Sequence, residues 1–420
     1  MKKTIKLAVV AALALGATSA FATNGSNLIG LGAKSRAMGG TGIGVSHGAE
    51  SGLTNPALIT SVKDAEISFG GTFFMPDVTN TNNVGAGEAT TTSAADLSVI
   101  PEVSIAVKVT ENFYMGVGMW GTAGMGVDYR DADSILSGNP SSQMQMVTNL
   151  QLMQFGVPLA YKVSGFSAAI TPLLQYGSLD INYEFPGGPN ALGLAAGDQV
   201  GAGVAQDLKF GYNLGLSYEI DGFTVGAVYK SQIDMEYTGI LSGTVNAFTP
   251  TGVYKNDKLS TPAEIGLGVS YVIDEHTVAI DFKNIAWSSA KGYEDFEWDD
   301  QNVFALGYEY SPKGWALRVG YNYASSPISE KTVVNPATDV PNSAGLQPGT
   351  VNTFNLLGFP GIVETHYTLG GSYDFTEMTS LDLAYTYAPE VTETFKNFAA
   401  NDITTKHSQT SLSAQVNFKF

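Results

Sequence analysis

The chain has 420 residues, 39 acidic against 21 basic, a formal charge of −18, 48 glycines, 11% aromatics and no cysteine. So acidic a chain offers no basic face to nucleic-acid phosphates, and without cysteine neither disulfides nor thiolate metal sites hold it together. Only 14% of residues are charged, against about 25% in ordinary globular domains, and beyond the N-terminus no apolar stretch approaches the roughly 18 residues that a spanning helix needs.

The first element is a leader. Lys2, Lys3 and Lys6 precede the apolar run Leu7 to Ala17, and the small residues Ala20 and Ala22 follow. This is the pattern of a secretory signal peptide, with cleavage expected after Ala22. The mature chain of 398 residues (420 − 22) would carry a charge of −21, three lysines having gone.

Residues 23–63 do not alternate. The stretch "NLIGLGAKSRAMGGTGIGVSHGAESGLTNPALIT" is rich in Gly, Ala and Ser. Two readings are open: a flexible periplasmic extension, or a compact plug inside a barrel, where Gly and Ala let backbone approach the wall.

From residue 64 to 420, strict alternation predicts strands. Phe210, Tyr212, Leu214, Leu216, Tyr218 and Ile220 alternate with small or polar partners. Ile265–Tyr271, Trp315–Tyr323 and Leu381–Tyr387 repeat the pattern. An apolar outer face with aromatics toward the ends and a polar inner face is what a barrel in lipid requires. Six short turns are expected near Thr110–Asn112, Ser164–Gly165, Asp221–Gly222, Asp274–His276, Ser311–Lys313 and Thr376–Thr379. Seven long loops alternate with them, near Pro76–Leu97, Asp128–Gln143, Pro186–Ala205, Gly239–Lys258, Ser288–Gln301, Pro327–Ile362 and Pro389–Thr405. The count predicts an all-β, 14-stranded antiparallel transmembrane barrel with short periplasmic turns. The last strand, "SLSAQVNFKF", is expected to close on the first, so that no backbone edge meets lipid. In the third strand, "MGVGMWGTAGMGVDY", glycines such as Gly121 and Gly124 mark a bend or make room for the plug.

Here a resemblance becomes specific. "SRAMGGTGIG" followed by "GLTNPALIT", with Arg36, Met38, Gly39, Gly40 and the triplet Asn55-Pro56-Ala57, resembles the N-terminal signature of the FadL-type outer-membrane transporters. "TPAEIGLGVSY", "NIAWSS", "LRVGYNYASSPI" and "HYTLGGSYDF" resemble that family's later strands. The resemblance implies passive uptake of long-chain fatty acids or other hydrophobic compounds. It further implies an N-terminal hatch, an outer apolar groove, an inner apolar pocket, and a kink in the third strand that opens the wall sideways.

Candidate site residues follow. Arg318 and Lys230 are expected to point inward, with Asp234, Glu236, Asp281 and Asp382. Arg318, Lys230 or Arg36 would hold an anionic headgroup, unless these charges brace wall and plug. Phe354, Leu356, Leu357 and Phe359, within "FNLLGFPGIV", either begin the twelfth strand or line the groove, with Met144, Met146 and Met153 as adaptable neighbours. The acidic run Glu294, Asp295, Glu297, Asp299 and Asp300, with Phe296 and Trp298 among it, is either a solvated loop face or a divalent-cation site for lipopolysaccharide.

Two motifs fail on context. "GVSHG" (Gly44–Gly48) sits in the Gly-rich segment and not on a strand-to-helix elbow, with only His276, His366 and His407 downstream, and "GVGMWG" (Gly116–Gly121) precedes no helix. No enzyme, cofactor or metal is expected. The location is the outer membrane of a Gram-negative bacterium and the state a monomer. The partners are hydrophobic small molecules such as fatty acids, outer-membrane lipid and lipopolysaccharide, and barrel-assembly machinery reading Phe420. Rival readings are a general diffusion porin, an outer-membrane hydrolase and an adhesin-like barrel.

Overall fold

Alternating side chains build fourteen long strands in the computed structural model, which describes residues 23–84, 87–134, 143–188, 192–249 and 254–420. The expected signal peptide lies outside these residues, as do parts of four loops. The strands are β1 (Ala65–Asn82), β2 (Ser98–Lys108), β3 (Phe113–Asp128), β4 (Val147–Gly156, resuming at Leu159–Val163), β5 (Phe166–Glu184), β6 (Ala205–Ile220), β7 (Phe223–Lys230), β8 (Glu264–Ile273), β9 (His276–Ile285), β10 (Gln301–Tyr310), β11 (Trp315–Ala324), β12 (Thr365–Thr376), β13 (Thr379–Lys396) and β14 (Asp402–Lys419). Each pairs antiparallel with its neighbours. β4 keeps one register across Pro158, which has no N–H to give.

β14 pairs with β1 from Ile403↔Asn82 to Lys419↔Glu66, and the Phe420 N–H donates to the Ala65 carbonyl at 2.9 Å. The cylinder is closed. Its two faces are those that the alternation predicts: Leu412 is 48% exposed while Ser411 and Ser413 are each 1%. An oily outer row along every strand is stable only against lipid. The short turns are tight. Ser164-Gly165 and Asp221-Gly222 both take positive φ, as two-residue hairpins matched to strand twist demand.

Two expected loops are much shorter than predicted. β1 runs through Pro76 to Asn82, and β13 and β14 approach to within five residues of each other. Hydroxyl pairs such as Thr79–Thr92, Thr81–Thr90 and Thr394–Thr404 carry these hairpins upward. Polar strand tops lack the apolar alternation that marks the strands below them. β7, conversely, ends at Lys230, so parity fails beyond it. Asp234 is in an irregular stretch, paired with Lys291 at 3.2 Å, and Glu236 is exposed.

Asn24–Thr60 is buried or half-buried throughout. Its partners lie on strands all around the ring. Ala33 N–H reaches Gln415 of β14, Thr171 of β5 reaches the Gly52 carbonyl, and Ser270 of β8 reaches the Gly44 carbonyl. A segment touching all these inward faces lies within the cylinder. Gly39 is one place where this demands glycine: its φ is +70°, and an added Cβ would stand 2.6 Å from the Tyr321 carbonyl.

Candidate functional site

The outer half of the lumen is filled by one apolar cluster. β3 supplies Val127, with Tyr129 just beyond its end; β5 supplies Ile181 and Tyr183. The β9–β10 connection supplies Trp287, Tyr293, Phe296 and Trp298. The Trp287 ring lies 4.6 Å from Tyr293 and 5.2 Å from Trp298, both edge-to-face, a favourable aromatic geometry. Both indole N–H groups are satisfied, by Gln301 at 2.9 Å and Asn355 at 3.0 Å. Phe354, Leu356, Leu357, Phe359, Met144 and Met146 all belong to this cluster, none more than 5% exposed. They form neither a strand nor an open outer groove: β12 begins only at Thr365. Met153 faces outward on β4, one residue out of phase with buried Leu152. Trp287 and Tyr293 are not among the residues that sequence reasoning singles out; their signal there is that they share a short loop with Phe296 and Trp298, aromatics spaced among polar residues.

The three candidate cations are held apart. Arg36, on α1 (Gly32–Ala37), makes a buried two-pronged pair with Glu102 of β2, which also accepts the Gly32 N–H. Arg318 of β11 donates to Glu309 at 2.5 Å and to Ser372 at 2.6 Å, with Asp382 at 3.9 Å. Lys230 of β7 pairs with Glu264 at 3.2 Å, and Lys283 of β9 reaches the same carboxylate at 3.6 Å. Two ammonium groups thus share one carboxylate, and the Asp281 carboxylate borders the same cavity. Leu28, Leu31 and this trio border two small cavities of about 40 and 50 Å³, space for a few waters but not for a long alkyl chain. Lys283 is a further inward cation, and its one sequence signal is the parity it shares with Asp281, two residues before it.

The inner segment is unevenly held. Asp281 accepts the backbone N–H groups of Gly42, Ile43 and Gly44 at 2.7, 2.8 and 3.3 Å. In the triplet, Asn55 donates to the Ile43 and Leu216 carbonyls and accepts the Ala57 N–H, capping a turn that Pro56 opens. The first residues are looser. Thr23–Asn24 and Asn27–Leu28 form a minimal hairpin with one ladder pair to the wall, Asn27↔Ala123. The Asn24 amide is fully buried, and neither its nitrogen nor its oxygen has a partner, a deficit of about 1–3 kcal/mol. Asn27 donates to Glu264 at 3.0 Å, linking the hairpin to the Lys230–Lys283 cluster.

Glu50 stands in the same segment, 4% exposed, with neither carboxylate oxygen hydrogen-bonded. Burial pushes its pKa well above the ordinary range; Asp382, Glu102 and Glu66 add to the rise and Lys34 opposes it. The unfolded carboxyl ionises near pH 4.3, while the folded one keeps its proton. The segment's stability therefore falls as pH climbs above that value toward the raised one. Glu50→Gln, which mimics the protonated form, should remove this loss. We expect limited proteolysis at Thr23–Ser61 to be faster in the wild type than in Glu50→Gln at pH 9, and equal at pH 4. Equal rates at both pH values would mean that Glu50 is ionised in the fold.

Beside the N-terminal hairpin the wall is interrupted. The β2–β3 ladder runs from Lys108↔Tyr114 to Glu102↔Trp120 and stops, where β2 carries Pro101. A bulge lies between Gly121 and Ala123, and beyond it β3 pairs with β4 on one side and no longer with β2 on the other. On its free edge the Gly124 N–H donates to the Ser26 carbonyl at 3.1 Å, so the N-terminal hairpin stands where β2 would be. Gly121 packs against Ile100, leaving 2.5 Å for an added Cβ.

The acidic run braces loops. Asp295 accepts from Tyr254 and Asn256, Glu297 pairs with Lys331, and Asp300 accepts the Ser288 N–H. No cluster of metal-ligating side chains occurs among the described residues. In "GVSHG", Ser46 bonds to Ser61 and Leu58 while His47 bonds to the Thr41 carbonyl, so the two do not form a nucleophile–base pair.

A closed cylinder, oily outside, with a packed apolar cluster above a network of ion pairs, defines an outer-membrane β-barrel of the channel-forming kind. Within that class the chain belongs to the outer-membrane transport protein family that groups OMPP1, FadL and TodX, whose profile matches residues 7–343. It is a transport protein and not an enzyme. The chain is 42% identical over 105 residues to an uncharacterized protein from the 5′ region of the phosphoenolpyruvate carboxykinase gene of Chlorobium limicola. That match takes in 24% of this chain and 52% of the relative, about half its length. It is 25% identical to the 47 kDa outer membrane protein of Pasteurella multocida over 87% of each. Its fold is that of a Pseudomonas aeruginosa FadL homologue (TM-score 0.67, 15% identity, 94% of this chain and 100% of that one) and of the P. putida toluene transporter TodX (0.65, 19%, 93% and 99%).

Proposed function

We propose that this barrel takes up hydrophobic molecules passively, long-chain fatty acids foremost, through the apolar chamber. The observation that carries the reading is the apolar cluster that would open into this chamber: a diffusion porin keeps a polar, water-filled lumen, whereas here the outer half is packed mainly with apolar side chains, with a few buried amides and hydroxyls among them. Each methylene buried there contributes about 0.8 kcal/mol, so one alkyl chain gains useful affinity. The headgroup candidate best placed is Lys230. It borders the cavities beneath the chamber, and Glu264 keeps Lys283 as its partner when Lys230 turns to a ligand. Arg36 and Arg318 are engaged in ion pairs that brace segment and wall. Entry of the ligand displaces the weakly held Asn24–Asn27 hairpin, and the interrupted β2–β3 edge behind it is the exit into the wall. Thr23–Ser61 as a whole acts as the plug. Diffusion is the driving force.

The test compares cells with and without the protein, using labelled long-chain fatty acid, labelled toluene and a polar sugar. We expect the protein to speed uptake of the acid and not of the sugar. Lys230→Met, which leaves Glu264 paired with Lys283, should lower acid uptake about tenfold, the worth of one charge-assisted hydrogen bond of ~1.5 kcal/mol. Toluene uptake should not change. Equal entry of the acid in both strains defeats the reading; toluene carried in place of the acid would leave the chamber and remove the headgroup site.

A further inference from the structure

The β11–β12 connection turns inward. Pro348–Thr353 makes a helical turn, Phe354–Gly358 continues as a single turn of π-helix, and the chain stays buried to Val363. Such π turns are rare and frequently sit at functional sites. The insertion is gripped from several directions. Thr405 of β14 donates to the Leu356 carbonyl at 2.7 Å, and Thr148 of β4 donates to the Gly358 carbonyl at 2.5 Å. Asn355 accepts the Trp298 indole N–H and donates to the Phe296 carbonyl, both at 3.0 Å. A segment bonded at once to β14, β4 and the β9–β10 connection lies across the lumen.

Its far end meets the N-terminal hairpin. A Cβ built on Gly361 would stand 3.0 Å from the Trp298 ring and 3.5 Å from the Gly25 Cα; one built on Gly25 would stand 2.7 Å from the Trp287 ring. Two glycines therefore let the inserted loop, the hairpin and two indoles pack in one stack. Away from the β2–β3 interruption the barrel wall is tied by backbone ladders, whereas this loop is tied to the wall by a handful of side-chain bonds. It is the part of the chamber's outer boundary that parts most easily.

We propose that Pro348–Val363 is an outer gate, which seals the apolar chamber from outside and, through Gly361 on Gly25, holds the N-terminal hairpin down until a hydrophobic ligand enters. The gate rests on the uptake reading only for what passes it. Phe354, Leu356 and Leu357 exchange contacts with the cluster for contacts with the ligand, and the hairpin loses its cover in the same movement.

A reversible lock tests this. The chain has no cysteine, so Thr148→Cys with Gly358→Cys adds the only two thiols. A Cβ on Gly358 lies 3.3 Å from the Thr148 Cγ2, a spacing that suits a disulfide, and the nearby Met146 thioether is flexible enough to give way. With the disulfide formed, uptake of labelled fatty acid and toluene should fall at least tenfold; reductant should restore it, and oxidant should leave the wild type unchanged. A second readout needs no transport. In a background with Trp120→Phe and Trp315→Phe, in detergent, acrylamide quenching of the two remaining tryptophans, Trp287 and Trp298, should drop severalfold on locking. Asn355→Ala, which frees the loop, should raise it. Quenching that is indifferent to the lock and to Asn355→Ala overturns the gate whatever the uptake result. Wild-type cells that take up neither probe would instead count against the uptake reading, with the quenching still deciding the gate.

Discussion

Deleting Thr23–Ser61 should turn a silent barrel into a conducting one. In planar bilayers the intact mature chain is expected to show no steady current, because the inner half of the lumen is packed by that segment and the outer half by the apolar cluster. Without the segment, inward Ser68, Thr72, Glu102, Gln415 and Asn417, all buried now, face an empty bore. Interior width grows with strand number, and fourteen strands enclose more than side chains alone can fill. Water then enters from the periplasmic side, and the outer cluster loses the support of Gly25 against Trp287. We expect resolvable openings at least tenfold above the intact protein's baseline. Replacing Pro348–Val363 as well with a short Gly-Ser linker should convert them to a steady, ohmic current. A barrel that stays silent after both changes is closed by something other than these two segments, and the plug reading falls with it.

Why one closure is legible in the sequence and the other is not is a matter of period. Strands announce themselves at period two wherever one face is lipid, so the alternation from Leu412 to Phe420 is enough to place that strand in the wall. The inner segment announces itself by not alternating, and by glycines that only close backbone packing explains. Gly44, for instance, leaves 2.4 Å between an added Cβ and the β8 backbone. "FNLLGFPGIV" has neither period. A helical turn, a π turn and an irregular run, all buried, read in sequence as apolar residues without order. Only their improbability on an exposed loop sets them apart. Ion-pair partners are half legible: parity puts Arg318, Asp281 and Glu264 inside, but which carboxylate meets which cation depends on strand order and on where the segment lies. Arg36 with Glu102 is such a case, since 66 residues and a fold separate them.

That same pair carries the second large effect. Arg36 and Glu102 are 2% and 5% exposed, and they join the inner segment to the strand beside the wall's discontinuity. Replacing Arg36 by Met leaves Glu102 buried without its cation, a loss of about 3–5 kcal/mol for a buried pair broken on one side. At 1.4 kcal/mol per tenfold, the released state should grow by about two to three and a half orders of magnitude. The measurement is the open probability in bilayers, with protease sensitivity of Thr23–Ser61 as a check that does not depend on current. The neutral double substitution Arg36→Met with Glu102→Gln separates charge from contact. Its Gln keeps a carbonyl for the Gly32 N–H, and removing both charges costs far less than stranding one. The double variant should therefore lie closer to the wild type than Arg36→Met does. If both variants leak equally, the guanidinium's shape rather than its charge holds the segment. If neither leaks, the anchoring lies in the Asp281 cradle around Gly42–Gly44, and Arg36 is a passenger.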